Sequence, residues 1–197
     1  MRSFWNEPFL WIHLSGLAVV PIFLGITWLG LAIGEPIPFY WLELALIAFV
    51  GIIPIFLMQW QRPWNIFNIL FLALKPEAMT REQLCLLRLF KSLKIRSLSV
   101  IAAPLMLLVL WIVYQFAPLA AIAVAPLPQI RLLGLAIATL AFLLANLFFQ
   151  VSLSVLAVLF TSEAQFSATE PYSTETVGKD FTVVGFKLGK ILPTLSN

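Results

Sequence analysis

Apolar residues run nearly unbroken through four stretches of the chain, at about 9–33, 39–58, 98–116 and 132–160. A helix rising about 1.5 Å per residue needs roughly 20 residues to cross a hydrocarbon core of about 30 Å. The pattern therefore predicts an all-α polytopic membrane protein with four transmembrane helices. Pro21 sits in the middle of the first stretch and removes one backbone donor, so a kink is expected near the carbonyl of Leu17. Gly34-Glu35-Pro36-Ile37-Pro38 predicts a compact turn that folds spans one and two into an antiparallel hairpin. Residues 117–129, apolar but broken by Pro118, Pro126 and Pro128, predict a short connector close to the bilayer surface. Span four at 29 residues amounts to roughly 43 Å of helix, so it must tilt or protrude.

The interval 59–97 reads as two cytoplasmic-side amphipathic helices. Trp64, Phe67, Phe71 and Leu74 fall at steps of three and four, which predicts an interfacial helix over 62–74. Lys75-Pro76-Glu77 breaks it. Thr80 with Gln83 three residues on has the spacing of a capping box, in which two side chains satisfy otherwise orphaned N–H groups. The helix predicted over 81–96 carries Arg81, Arg88, Lys91, Lys94 and Arg96 against Glu82 alone. Arg88, Lys91 and Lys94 repeat at steps of three and drift around one side, while Leu84, Leu87 and Leu93 supply part of the apolar side, with Phe90 near them. Such a helix suits anionic lipid headgroups or an acidic partner patch. After the four-helix domain of residues 1–160, the run 161–197 is rich in Ser, Thr and Glu and predicts a flexible tail. Weak alternation from Phe181 to Leu192 leaves room there for docking or a small strand.

Composition sharpens this reading. Apolar residues make up 61% of the 197 and charged ones only 11%, against roughly a quarter in ordinary soluble domains. Burial is limited by surface-to-volume scaling, so a soluble enzyme, a disordered chain and a nucleic-acid reader are all excluded. Cys85 is the single cysteine and has no disulfide partner within the chain; His13 is the single histidine. Neither supports a zinc site, which takes about four ligands. The basic residues Arg62, Lys75, Arg81, Arg88, Lys91, Lys94 and Arg96 lie between spans two and three, whereas the opposite connectors carry Glu35 and nothing basic before Arg131. The positive-inside rule then puts 59–97 and both termini on the cytoplasmic, or stromal, side. Trp5, Trp11, Trp60 and Trp64 would line that side, and Trp28, Trp41, Trp111 and Tyr114 the other. The first stretch lacks a small-x-small cleavage site and is expected to be retained rather than removed as a signal peptide.

Candidate chemistry inside the spans is sparse. His13, about one turn into span one, is a candidate axial ligand for a pigment magnesium or a haem iron, or an interfacial histidine bonded to a carbonyl. Glu43, one turn into span two, is either structural or part of a proton or cation path, since a carboxylate in a span is costly. No lysine or arginine of a membrane interior is expected to pair with it. Asn146 and Gln150 share a face of span four, with Ser154 a turn further on. Gly134, Ala138, Ala141 and Ala145 form a small-residue stripe leading to them, which suits close helix approach, a partner contact or a bound polar group. No HExxH, GxSxG, Walker or CxxC pattern occurs, so no enzyme and no cofactor is expected. Two functions remain. One is an accessory, assembly or stabilising protein of a larger membrane protein complex, with Arg88, Lys91, Lys94, Asn146 and Gln150 as interaction residues. The other is a small oligomeric transporter or channel with Glu43, Asn146 and Gln150 along its polar path.

The opening MRSFWNEPFLWIHLSGLAVVPIFL, the EPIPFYWLEL hairpin and the MQWQRPWNIF segment resemble the cyanobacterial low-complexity-tail membrane proteins. The resemblance spans roughly residues 1–160. It implies a photosynthetic prokaryote and a thylakoid or plasma membrane location, and it carries no catalytic residue onto this chain. The tail of 37 residues departs from the family's name, since its composition is not strongly biased.

Overall fold

The computed structural model describes residues 3–69 and 71–192. Four helical spans cross in sequence, joined at one end by short turns and at the other by a folded cap that holds the basic segment. The first span is α1 (Pro8–Ser15) and α2 (Val20–Leu31), joined through a 3₁₀ turn over Gly16–Val19. Pro21 explains that join. It cannot donate to the carbonyl of Leu17, and the Val20 N–H takes that carbonyl instead in a tighter turn. The second span is α3 (Tyr40–Gln61), with Pro54 inside it.

The chain then departs from the sequence expectation. The stretch expected as an interfacial helix at 62–74 forms two short strands, β1 (Asn68–Ile69) and β2 (Leu72–Leu74), paired antiparallel. Asn65 accounts for part of this: its Oδ1 accepts from the Phe67 N–H at 2.9 Å and competes with a helical turn. A 3₁₀ turn at Pro76–Ala78 leads to α4 (Arg81–Phe90), whose start is the Thr80–Gln83 capping box with both reciprocal bonds formed. Helix α4 stops at Lys91, so the basic segment 81–96 is not one helix. Ser92 begins α5 (Leu93–Gln115), which already contains Lys94 and Arg96 and continues as the third span.

After a 3₁₀ turn (Ala117–Ala120) and the single turn α6 (Ala121–Val124), α7 (Arg131–Leu159) forms the fourth span. It is the central helix, touching α1, α2, α3, α4 and α5. Gly30 and Gly134 let α2 and α7 meet backbone to backbone. A Cβ on Gly134 would stand 2.6 Å from the Gly30 carbonyl oxygen and 2.9 Å from that of Ile33. Ala138, Ala141 and Ala145 continue that buried stripe. Phe142 fills the space beside Gly51 of α3, where a Cβ would fall 2.5 Å from its ring.

Two apolar cores result. One lies within the bundle around Ile47, Met106, Leu110, Ala138 and Phe142. The second lies at the basic end and joins the N-terminal Phe4 and Phe9, Phe67 of the segment before β1, and Leu86, Leu87 and Phe90 of α4 to Val155, Val158 and Leu159 of α7. The surplus length of span four thus protrudes into this second core. Residues 161–192 also belong to it and are not a separate loose tail. They form α8 (Glu163–Ser167), α9 (Thr174–Asp180) and β3 (Phe186–Leu188), with Phe166, Val177 and Phe181 buried. Strand β3 adds to β2 in parallel, giving the order β1-β2-β3. The last five positions of the expected tail, 193–197, lie outside the described residues.

The α2–α7 contact gives a direct test. Gly134→Ala should destabilise the detergent-solubilised protein by about 1–3 kcal/mol through overpacking against backbone. Gly25→Ala, where nothing lies within 4 Å of the added Cβ, should not lower the thermal midpoint.

Candidate functional site

Three groups of polar side chains stand out, and each is built by elements brought together from distant parts of the sequence. The first is at the turn end. Spans two and four run in the same direction, so the first turn of α3 and the first residue of α7 are neighbours. Glu43 is 1% exposed there, and Arg131 reaches it with two parallel hydrogen bonds. The Arg131 Nε donates to one carboxylate oxygen at 2.7 Å, and Nη2 donates to the other. The Tyr114 hydroxyl of α5 donates to the same carboxylate at 2.9 Å, and so does the Ile37 backbone N–H. Arg131 Nη1 meanwhile donates to the carbonyls of Leu31 and Ile33 at 2.7 and 3.1 Å, satisfying the open C-terminal end of α2.

This overturns the expectation that Glu43 has no cationic partner. The signal was present in the sequence: in a four-span chain, spans two and four begin at the same face, which puts Glu43 and Arg131 at one depth. Tyr114 was noted only as an interfacial aromatic. Gly34 completes the clasp with φ of +72°; its N–H donates to the Gln129 side chain, and a Cβ there would stand 2.8 Å from the Arg131 nitrogen.

The second group lies inside the bundle. Asn146 is fully buried and donates from Nδ2 to the Gly51 carbonyl of α3 at 2.8 Å. Its Oδ1 accepts from Gln150 Nε2 at 3.0 Å, and Ser154 donates to the Gln150 backbone carbonyl. The pair that shares a face in sequence thus cross-links spans two and four, with the Gln150 Oε1 buried and without a hydrogen-bond partner. His13 lies on α1 and its Nδ1 donates to the Phe9 carbonyl at 2.9 Å, while the Asn68 backbone also faces the ring. Ser152 of α7 donates to the His13 carbonyl at 2.8 Å, just before the 3₁₀ turn. The imidazole therefore lies between α1 and the start of β1. Among the described residues no cluster of three or more metal-capable side chains forms.

The third group is the basic end. Lys91 turns inward: its Nζ donates to the backbone carbonyls of Gln61 and Asp180 at 3.0 and 2.9 Å, and lies 3.7 Å from an Asp180 carboxylate oxygen. Arg62 Nη2 donates to the carbonyls of Gly178 and Phe181 at 2.9 and 3.2 Å. Two cations thus sit at the C-terminal end of α9, where helix carbonyls are open and the dipole is negative. Arg88 stands 5.7 Å over the Tyr172 ring. Of the three residues expected on one lipid-facing side, Lys91 is taken by the chain itself, Arg88 is exposed but leans on the tail, and Lys94 is exposed at the start of α5. The apolar side of α4 covers the second core rather than facing the bilayer.

The Tyr172 hydroxyl donates to Asp180 Oδ2 at 2.7 Å. That bond holds the Asp180 carboxyl below its ordinary 3.8, with Lys91 reinforcing the shift. Burial, and then the same bond, push the Tyr172 phenol up to about 12. Burial pulls Lys91 down, which offsets part of the ion pair while the amine is charged. Burial also pushes the Glu7 carboxyl up, against a hydrogen bond from Gln83.

The family described as low-complexity tail membrane protein-like matches residues 6–193. No curated protein and no solved structure matches the chain.

Two outcomes follow from these contacts. Glu43→Gln and Arg131→Met should each destabilise the protein by about 3–5 kcal/mol by leaving a buried charge unpaired. The double variant should cost clearly less than the sum, read from thermal midpoints in one detergent. The tail latch has its own pH window. The depressed Asp180 contributes stability that is whole above 3.8 and is lost as pH falls through its lower folded value. The raised Tyr172 contributes stability that is whole below 10.0 and is lost as pH rises through about 12. Protease cleavage within 161–192 should therefore stay slow between those limits and quicken outside them, and Tyr172→Phe should quicken it at neutral pH.

Proposed function

We propose that this integral membrane protein, which belongs to the low-complexity tail membrane protein-like family, is a non-enzymatic accessory component that assembles or stabilises a larger membrane protein complex. The observation that carries this reading is that Glu43 and Asn146, two of the polar side chains expected to line a path, are engaged in holding the bundle together. Glu43 is bound by Arg131, Tyr114 and the Ile37 N–H, and Asn146 is bound to the α3 backbone. Other polar residues build a folded cap at the basic end. There the exposed Arg81, Arg88 and Lys94 offer cations toward an acidic partner patch or anionic headgroups, while the apolar side of amphipathic α4 is occupied at home.

The cap lies on the cytoplasmic or stromal side in this reading, with both termini. The seven basic residues between spans two and three support that orientation. So does the pairing of Arg131, the one basic residue at the turn end, with Glu43. The resemblance noted above supports a cyanobacterial thylakoid or plasma membrane as the location.

Affinity purification of the tagged protein from its native membrane in mild detergent tests the proposal. Another membrane complex should co-purify stoichiometrically, and Arg88→Glu with Lys94→Glu should reduce its recovery while the protein still elutes as one species. A homo-oligomer with no co-purifying complex would overturn the accessory reading.

A further inference from the structure

The three-stranded sheet was not expected from the sequence, and its position relative to α1 is informative. The Phe67 ring packs against that of Phe9, the second residue of α1, with centroids 5.3 Å apart. One residue later, the Asn68 backbone faces His13. His13 stands five residues inside the start of α1, about 8 Å along an axis that rises about 1.5 Å per residue. Strand β1 therefore runs along α1 toward the membrane interior, and β2 returns from there.

The side chains follow that direction. At the tip, Phe71 is 70% exposed, and Leu72 and its register partner Phe186 are 39% and 76% exposed. At the root, Leu74 on the same face as Leu72 is buried in the second core. The charged groups are also at the root. A crevice of about 350 Å³ there is lined by Glu7, Phe9, Leu74, Gln83 and Lys190. Lys75 and Lys187 share another crevice with Glu77 and Glu175. Phenylalanines at the deep end and charges at the shallow end match the polarity gradient of a bilayer interface.

We infer that the β1–β2–β3 sheet is an interfacial anchor whose tip, with Phe71, Leu72 and Phe186, enters the acyl region of the same leaflet that α1 crosses. The apolar tip stands at the end of the sheet away from its charged root, and that gradient of polarity commits it to lipid rather than to a second protein. Lysines and carboxylates are equal in number around the root, three of each: Lys75, Lys187 and Lys190 against Glu7, Glu77 and Glu175. Insertion is therefore driven by apolar burial and does not depend on anionic headgroups. The open edges of so small a sheet stay near the interface, where water still reaches the backbone. This inference is independent of the accessory reading and concerns lipid alone.

Depth-dependent quenching tests it in purified protein. In a Cys85→Ala background, Phe71→Cys, Phe186→Cys and, as a control, Glu77→Cys each carry one environment-sensitive fluorophore. The variants are reconstituted in phosphatidylcholine vesicles with acyl chains nitroxide-labelled near the headgroup, and monodisperse elution before reconstitution verifies their folding. Probes at 71 and 186 should be quenched about twofold or more by the labelled lipid and shielded from aqueous iodide, and the probe at 77 should show the reverse. Adding about a third phosphatidylglycerol should leave the result unchanged. Iodide quenching of the 71 and 186 probes without lipid quenching would overturn the anchor. Shielding that appears only at high protein-to-lipid ratio would reassign the patch to a second copy. Insertion that requires phosphatidylglycerol would overturn the apolar account.

Discussion

The arrangement of the spans turns on one buried ion pair. A carboxylate and a guanidinium at the turn end are each expensive to desolvate, and their attraction offsets that cost only with good geometry and further hydrogen bonds. Both conditions hold around Glu43 and Arg131. The carboxylate takes two bonds from the guanidinium, one from Tyr114 of span three and one from the turn after span one. Nη1 of the guanidinium donates to the carbonyls of Leu31, the last residue of α2, and of Ile33 just beyond it. A single polar centre therefore touches all four spans. It fixes which helix ends lie together in a medium where apolar contact alone discriminates poorly between helix faces. The glycine contact of α2 with α7 lies within a turn of it, so the close approach and the ion pair are mutually dependent.

The basic end is organised by a different physics. Outside the hydrocarbon, water supplies an ordinary hydrophobic driving force, and the chain builds a conventional core from α4, the end of α7 and the segments at either terminus. Arg62 and Lys91 then close over the C-terminal carbonyls of α9. The positive charge that would orient the protein in its membrane thus also fastens its own C-terminal segment. Charges left exposed on the cap are fewer than the composition suggests, which narrows the surface a partner would read.

Much of the candidate site was legible in part. Glu43 was recognisable as a costly residue in a span, and Asn146 with Gln150 as a shared helix face, because both follow from helical spacing and hydropathy. Their partners were not. Arg131, the Gly51 carbonyl and the Asn68 backbone are distant in sequence, and spacing along one helix carries no information about which neighbour will face it. Lys91 was misjudged for the same reason: a step of three from Arg88 and Lys94 says that the residues adjoin, not that the middle one turns inward toward Asp180.

Hydropathy alone determined the all-α membrane class and the existence of four spans, since unbroken apolar runs of about 20 residues fit helices, whereas a closed barrel needs shorter strands of alternating hydropathy. Local chemistry determined the Thr80 cap and the distortion at Pro21, because both depend on donors and acceptors within a few residues. Only the tertiary structure decided that 62–74 pairs as strands and that 161–192 docks. In the first, an apolar spacing of three and four fitted a helix, but the Asn65 turn and a third strand from the C-terminal segment favoured extended pairing. In the second, Phe166, Val177 and Phe181 are too few and too scattered to form a core of their own. They become ordered because α4 and the end of α7 present an apolar surface for them to complete.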